Sequence, residues 1–389
     1  MKYDYSDIKY YNDLDFRRFL PELVQEPLMY RIVKYYHPAY DDNQAREFLQ
    51  QFTSVDDFQK GFIIHLMEKI IHDSVTDLTY DGVENIDPSK KYLFITNHRN
   101  IVMDVSTLNY VLYKEQKEKF QSTAIAIGNN LLKIPWVMHL ARMNKSFLVE
   151  RDLIPQQLLL SSKRLSQYIR DIITSKSDSI WLANREGRTK DGNDFSQAGL
   201  IKMLNMSGES TFADNFSELH IIPVAISYEK DPCDLMKINE LAAIENGIKY
   251  VKSPMEDFNS MIAGLTGSKG RMHYQFGKEL SRDVLLKINE HSPVNQKVRN
   301  LCNYLDKFIF ANYRLYESNY IAADILNNES CFSHLYKKEQ YVEFIIDMEE
   351  KLKSTEGDDA QNRIIYLKMM ANPVKNYYSV VDSDYKFNF

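Results

Sequence analysis

Cysteine is the first scarcity in this chain. Cys233, Cys302 and Cys331 are scattered and odd in number, which offers neither a disulfide framework nor the paired spacing of a zinc site and fits a reducing compartment. Glycine is sparse as well, at 13 of 389 residues, so an architecture of tight β-turns or glycine-rich phosphate loops is not expected. The stretch GLTGSKG (264–270) imitates a P-loop, but its glycine-to-lysine spacing is too short. Positive charge is in deficit: a formal net charge of -6 leaves no nucleic-acid footprint, although a local basic site remains compatible with it. No H-E-x-x-H occurs among the nine histidines, and no metal constellation emerges. No run approaches the roughly 20 apolar residues of a membrane helix. The opening MKYDYSDIKYYNDLDF lacks the apolar core of a secretory signal. The expectation is a soluble or peripheral protein.

What is present in excess is aromatic: 26 tyrosines and 20 phenylalanines, read mainly as core and helix packing. Residues 14–36, LDFRRFLPELVQEPLMYRIVKYY, mix apolar and basic residues at near-helical spacing, and Pro21 and Pro27 limit them to two short helices. Ser54 to Asp57 reads as a capping box ahead of a four-turn helix, FQKGFIIHLMEKIIHD. From about residue 78 short apolar runs alternate with helical periods. KYLFITN (91–97), STAIAIG (122–128), SFLVE (146–150), SIWLAN (179–184), LHIIPVAISYE (219–229) and RMHYQFGKE (271–279) read as strands. That alternation predicts an α/β fold with a mostly parallel or mixed central sheet flanked by helices. Three parts follow: an N-terminal helical segment (1–77), the α/β domain (78–281) and a helical C-terminal extension (282–389).

In open α/β sheets ligands sit beyond the carboxyl ends of the strands. That rule gathers three segments at one edge. In FITNHRNIVMDVSTL (94–108), His98 is followed six positions later by Asp104. A histidine near neutral pKa can take a proton from a hydroxyl, and a carboxylate can fix its tautomer. No G-x-S-x-G supplies a protein nucleophile, so the substrate would bring its own hydroxyl. A loop histidine beside an N-capping aspartate is equally open on these residues alone. In NREGRTKDG (184–192), Arg185, Arg188 and Lys190 accompany Glu186 between two glycines. Arginine forks suit phosphate oxygens, and a solvated charged loop is the alternative. Arg151 ends SFLVER, where an anion contact and an ion pair at a helix start are both open.

Taken in order, TNHRNIVMD, SFLVER, REGRTKDG and IIPVAISYE, with YDGVENID (80–87) before them and YQFGKEL (274–280) after, resemble the glycerol-3-phosphate and 1-acylglycerol-3-phosphate acyltransferase superfamily. The likeness covers about 78–280. It implies His98 as the catalytic histidine and Asp104 as its orienting aspartate. It also implies Arg151, Glu186, Gly187 and Arg188 as substrate-block residues, with Lys190 beside them, and Pro223 as the fourth-block proline. Five residues separate His98 from Asp104 where the family has four, and the third block admits a second register with Arg185 at the glutamate. The resemblance further implies acyl transfer from acyl-CoA or acyl-carrier protein to a phosphorylated glycerol hydroxyl, with no metal or redox cofactor. Peripheral work on the inner face of the cytoplasmic membrane is expected too, with 14–36 as a contact. A non-catalytic lipid- or acyl-carrier-binding relative and a thioester or lipid hydrolase are the alternatives.

Overall fold

The short apolar runs become strands of a single sheet. The computed structural model describes residues 3–289, 293–382 and 385–389. Seven strands, β1 (Val75–Asp81), β2 (Leu93–Thr96), β3 (Ala124–Gly128), β4 (Ser146–Val149), β5 (Ile180–Ala183), β6 (Ile221–Tyr228) and β7 (Gly270–Phe276), lie in the order β1-β7-β6-β2-β5-β3-β4. The run from β6 to β4 is parallel throughout, whereas β7 is antiparallel to β6 and parallel to β1. The fold is α/β with a mixed sheet. β1 is absent from the strands read in the sequence because VTDLTYD is an edge strand, only half-buried and low in apolar residues.

β2 shows why these runs lack polar alternation. All four of its residues are buried, since helices cover both faces of the sheet. Leu93 and Ile95 join one apolar cluster with Ile169, Ile173 and Leu305, and Phe94 joins another with Leu108 and Leu112. Leu305 belongs to helix Val294–Ala311, so the C-terminal extension contributes directly to the core of the sheet. Helices Glu317–Asn327, Lys338–Leu352 and Asp359–Val381 build a further cluster with Ile238.

The N-terminal stretch forms the two short helices expected. Pro21 lies inside helix Asp13–Val24, and the break comes at Gln25–Glu26, with Pro27 opening helix Pro27–Tyr36. The apolar faces of both helices also turn inward: Phe16, Leu20, Leu23, Val24, Met29, Tyr30 and Val33 pack with Phe58, Phe62 and Met143. The face expected at a membrane is thus used in the core. Downstream, the Ser54 hydroxyl accepts from the Asp57 amide, but the Asp57 carboxylate accepts from the Thr53 amide, so the reciprocal bond is displaced by one residue. Among the described residues no helix is long and apolar enough to cross a membrane.

Candidate active site

The five strands of the parallel run all end at one edge of the sheet, and their ends carry the polar residues singled out in the sequence. A cleft of about 330 Å³ opens there. His98 follows β2, Gly128 ends β3, Arg151 follows β4, and Arg185, Glu186, Gly187, Arg188 and Lys190 follow β5; all of them line this cleft. Asp104 lies beneath it, fully buried. The three segments expected at a common edge therefore meet.

His98 sits in the loop after β2, and Asp104 is the second residue of helix Met103–Gln116. The loop takes up the fifth intervening residue through Asn100, whose side-chain oxygen accepts from the Val102 and Met103 amides and so caps the incoming helix. This turn leaves His98 Nδ1 2.8 Å from Asp104 Oδ2. The same oxygen accepts from the Arg99 amide at 2.7 Å and the Asn100 amide at 3.0 Å. Asp104 Oδ1 accepts from the Tyr228 hydroxyl at 2.8 Å. Four donors thus satisfy the buried carboxylate and fix its plane. A carboxylate at Nδ1 places the ring proton there, which leaves the lone pair on Nε2. The ring also packs edge-on to Trp181, with centroids 5.5 Å apart.

Tyr228 escapes the sequence reading, where it is only one residue of an apolar strand. Burial and the Asp104 charge push its phenol well above the ordinary value, so it remains a protonated donor. The Tyr274 hydroxyl braces the same helix start by donating to the Asp104 carbonyl at 3.0 Å. Behind them, buried Asn97 stitches the loop to β6: its amide donates to the Ile226 carbonyl at 2.9 Å, and its oxygen accepts from the Ile226 amide at 2.8 Å.

The basic residues are not equivalent. Arg151 forms an ion pair with Glu186 at 2.5 Å, across two strand ends. The Lys190 ammonium is bound to Glu240. Arg185 donates to the Asn193 carbonyl at 3.0 Å, and its Nε is buried with no hydrogen-bond partner among the described residues. Arg188 Nη1 is likewise buried and unpartnered. Near it, burial tends to raise the Asp231 carboxyl, but Lys237 and, less strongly, Arg188 hold it below its ordinary value. Among the arginines lining the cleft, Arg188 and Arg185 each keep a buried N–H without a hydrogen-bond partner among the described residues. Gly187 has φ +69, a conformation that L side chains resist, so the turn carrying Arg188 needs glycine for backbone reasons. The apolar side of the cleft comes from Ile101, Ile125, Ile127, Leu131 and Trp181. Met103 is buried in the core.

A larger hollow, about 960 Å³, lies against helix Lys338–Leu352, but Glu229, Asp234, Glu317, Glu343 and Asp347 line it. That balance of charge disfavours an anionic ligand. Exposed apolar residues gather elsewhere: Ile154, Leu158, Leu159 and Leu160 stand in solvent at the start of helix Pro155–Thr174, a few residues beyond Arg151.

Residues 77–227 match the family model described as Acyltransferase. Among solved structures, the 1-acyl-sn-glycerophosphate (LPA) acyltransferase PlsC from Thermotoga maritima is similar over 76% of this chain and 91% of that chain, at 12% identity and a TM-score of 0.38. No curated protein matches.

Proposed function

We propose that the protein moves a fatty acyl group from a thioester, acyl-CoA or acyl-carrier protein, to a hydroxyl of glycerol-3-phosphate or lysophosphatidic acid, a reading supported by the match of residues 77–227 to the Acyltransferase family model. The observation that carries this reading is a histidine held at 2.8 Å by a buried carboxylate on the same cleft as two guanidinium groups with free donors. His98 Nε2 takes the proton of the acceptor hydroxyl as its oxygen attacks the thioester carbonyl. Asp104 stabilises the imidazolium that forms. The tetrahedral intermediate then collapses, the C–S bond breaks, and the departing thiolate takes the proton back from His98 and leaves as a thiol. Arg188 and Arg185 hold the acceptor phosphate, which positions the hydroxyl. Arg151 and Lys190 add charge by exchanging their carboxylate partners for phosphate. The acyl donor and the product both carry a fatty chain, so the reading includes peripheral work at a lipid surface.

The test is an acceptor and donor panel on purified protein. Labelled acyl-CoA or acyl-carrier thioester is offered with glycerol-3-phosphate, lysophosphatidic acid and their phosphate-free counterparts, and both ester and free fatty acid are measured. Ester formation that favours phosphorylated acceptors supports the reading. Release of free acid alone points to a hydrolase, and the absence of turnover to a binding protein.

A further inference from the structure

The segment that carries Arg188 is held in place from outside the matched domain. Asp194 closes this loop and is fully buried. Its carboxylate accepts from Asn97 Nδ2 at 3.0 Å, Thr189 Oγ1 at 2.5 Å and the Tyr313 hydroxyl at 2.7 Å, and it pairs with Arg99 Nη2 at 2.6 Å. Asn97 and Arg99 flank His98, and Thr189 follows Arg188. The Thr189 amide also donates to the His98 carbonyl at 2.8 Å. Tyr313 belongs to the C-terminal extension, just after helix Val294–Ala311.

Two more bonds come from the same extension. The Ser196 amide donates to Asp306 Oδ1 at 2.8 Å, and Asn372 Nδ2 donates to the Asp191 carbonyl at 2.6 Å. At Gly192 the loop touches helix Asp359–Val381 so closely that a Cβ would meet the Met369 carbonyl at 2.4 Å. Phe195 packs edge-on to Phe310, with centroids 5.1 Å apart. The extension thus grips residues 191–196 at several separate points, while Asp194 ties that grip to both neighbours of His98. The family match ends at residue 227, so nothing in it assigns a task to residues 306–372.

We infer that the C-terminal extension is a clamp for the anion-binding loop, with Tyr313 and Asn372 as positioning residues that set how tightly Arg188 and Arg185 hold the acceptor phosphate. The kinetic part of this inference rests on the proposed acyl transfer; the structural part does not. The loop after β5 has no regular secondary structure between Ala183 and Ala198. Its rigidity must then come from its anchors, and an arginine on an unanchored loop loses affinity to ordering entropy.

The test uses full-length Tyr313→Phe and Asn372→Ala. Tyr313→Phe keeps the ring and removes one donor to a buried carboxylate. The acceptor KM for the phosphorylated substrate should rise roughly tenfold, from the loss of one charged hydrogen bond. kcat and the donor KM should stay within about a factor of two to three, and a phosphate-free acceptor should be little affected. Amide hydrogen exchange at Thr189 and Ser196 should quicken while the global unfolding midpoint holds. Unchanged exchange across 185–196 in both folded variants overturns the clamp. So does a fall in kcat with the acceptor KM unchanged. If the native protein esterifies no acceptor, the acyl-transfer reading fails, and hydrogen exchange alone still decides whether the extension holds the loop.

Discussion

Replacing Asp104 by Asn isolates the charge at the centre of the site. The carboxylate has one oxygen facing three donors and the other facing the Tyr228 hydroxyl. An asparagine can set its carbonyl oxygen toward His98, Arg99 and Asn100 and turn its NH2 toward Tyr228, whose hydroxyl rotates to accept. The Tyr228 hydroxyl proton and the second amide hydrogen then lose the carboxylate as acceptor, and the bonds to a neutral oxygen are weaker, a loss of about 2 kcal/mol. Catalysis loses more. At a separation of roughly 4 Å between charge centres and an effective dielectric of about 20, the attraction between carboxylate and imidazolium is about 4 kcal/mol. That translates to a fall of about 10³ in turnover. Initial rates with a saturating thioester and a phosphorylated acceptor, read beside a thermal melt, give both quantities. A folded Asp104→Asn protein that keeps turnover within about threefold of native would refute the pairing as a catalytic device and leave Asp104 a structural cap.

Three other perturbations separate the roles of the loop. Arg188→Ala should raise KM for a phosphorylated acceptor by one to two orders of magnitude, roughly the worth of charged hydrogen bonds, and should barely affect a phosphate-free one; equal effects on both would make Arg188 structural. Glu186→Gln should lower the acceptor KM a few-fold, because Arg151 would no longer be held by the ion pair at 2.5 Å; a rise in KM would give Glu186 a direct hold on the substrate. Gly192→Ala should cost about 2–4 kcal/mol in denaturant unfolding, since φ there is +80 and the new Cβ would meet the Met369 carbonyl at 2.4 Å; an unchanged midpoint would contradict the tight contact between loop and extension.

Much of this site is legible because β2, β4 and β5 are apolar runs that stop abruptly at charged residues, so the sheet edge can be read from hydropathy alone. Tyr228 is not, because it ends an apolar strand and declares its role only when β6 is placed beside β2. The one available signal is its position at the carboxyl end of a strand on the His98 edge. Asp194 is invisible for another reason: in DGNDF it reads as loop polarity, and only the convergence of three chain segments buries it. The Arg151–Glu186 pair joins residues from different strand ends, which no local spacing encodes. For residues 14–36 the sequence shows the amphipathic pattern but not its partner, since an apolar face looks the same whether it meets lipid or protein. β1 escapes because an edge strand with half-buried residues carries little apolar signal.

The most direct measurement of the central claim is product formation by His98→Ala beside the native protein, with labelled thioester and lysophosphatidic acid or glycerol-3-phosphate, on samples matched in thermal stability. His98 is held at one nitrogen by Asp104, and its ring borders the cleft. Native protein should form the labelled ester, and His98→Ala should form it roughly 10²–10⁴ times more slowly, the contribution of a positioned general base. A folded His98→Ala protein that esterifies the acceptor at near-native rate would contradict the account.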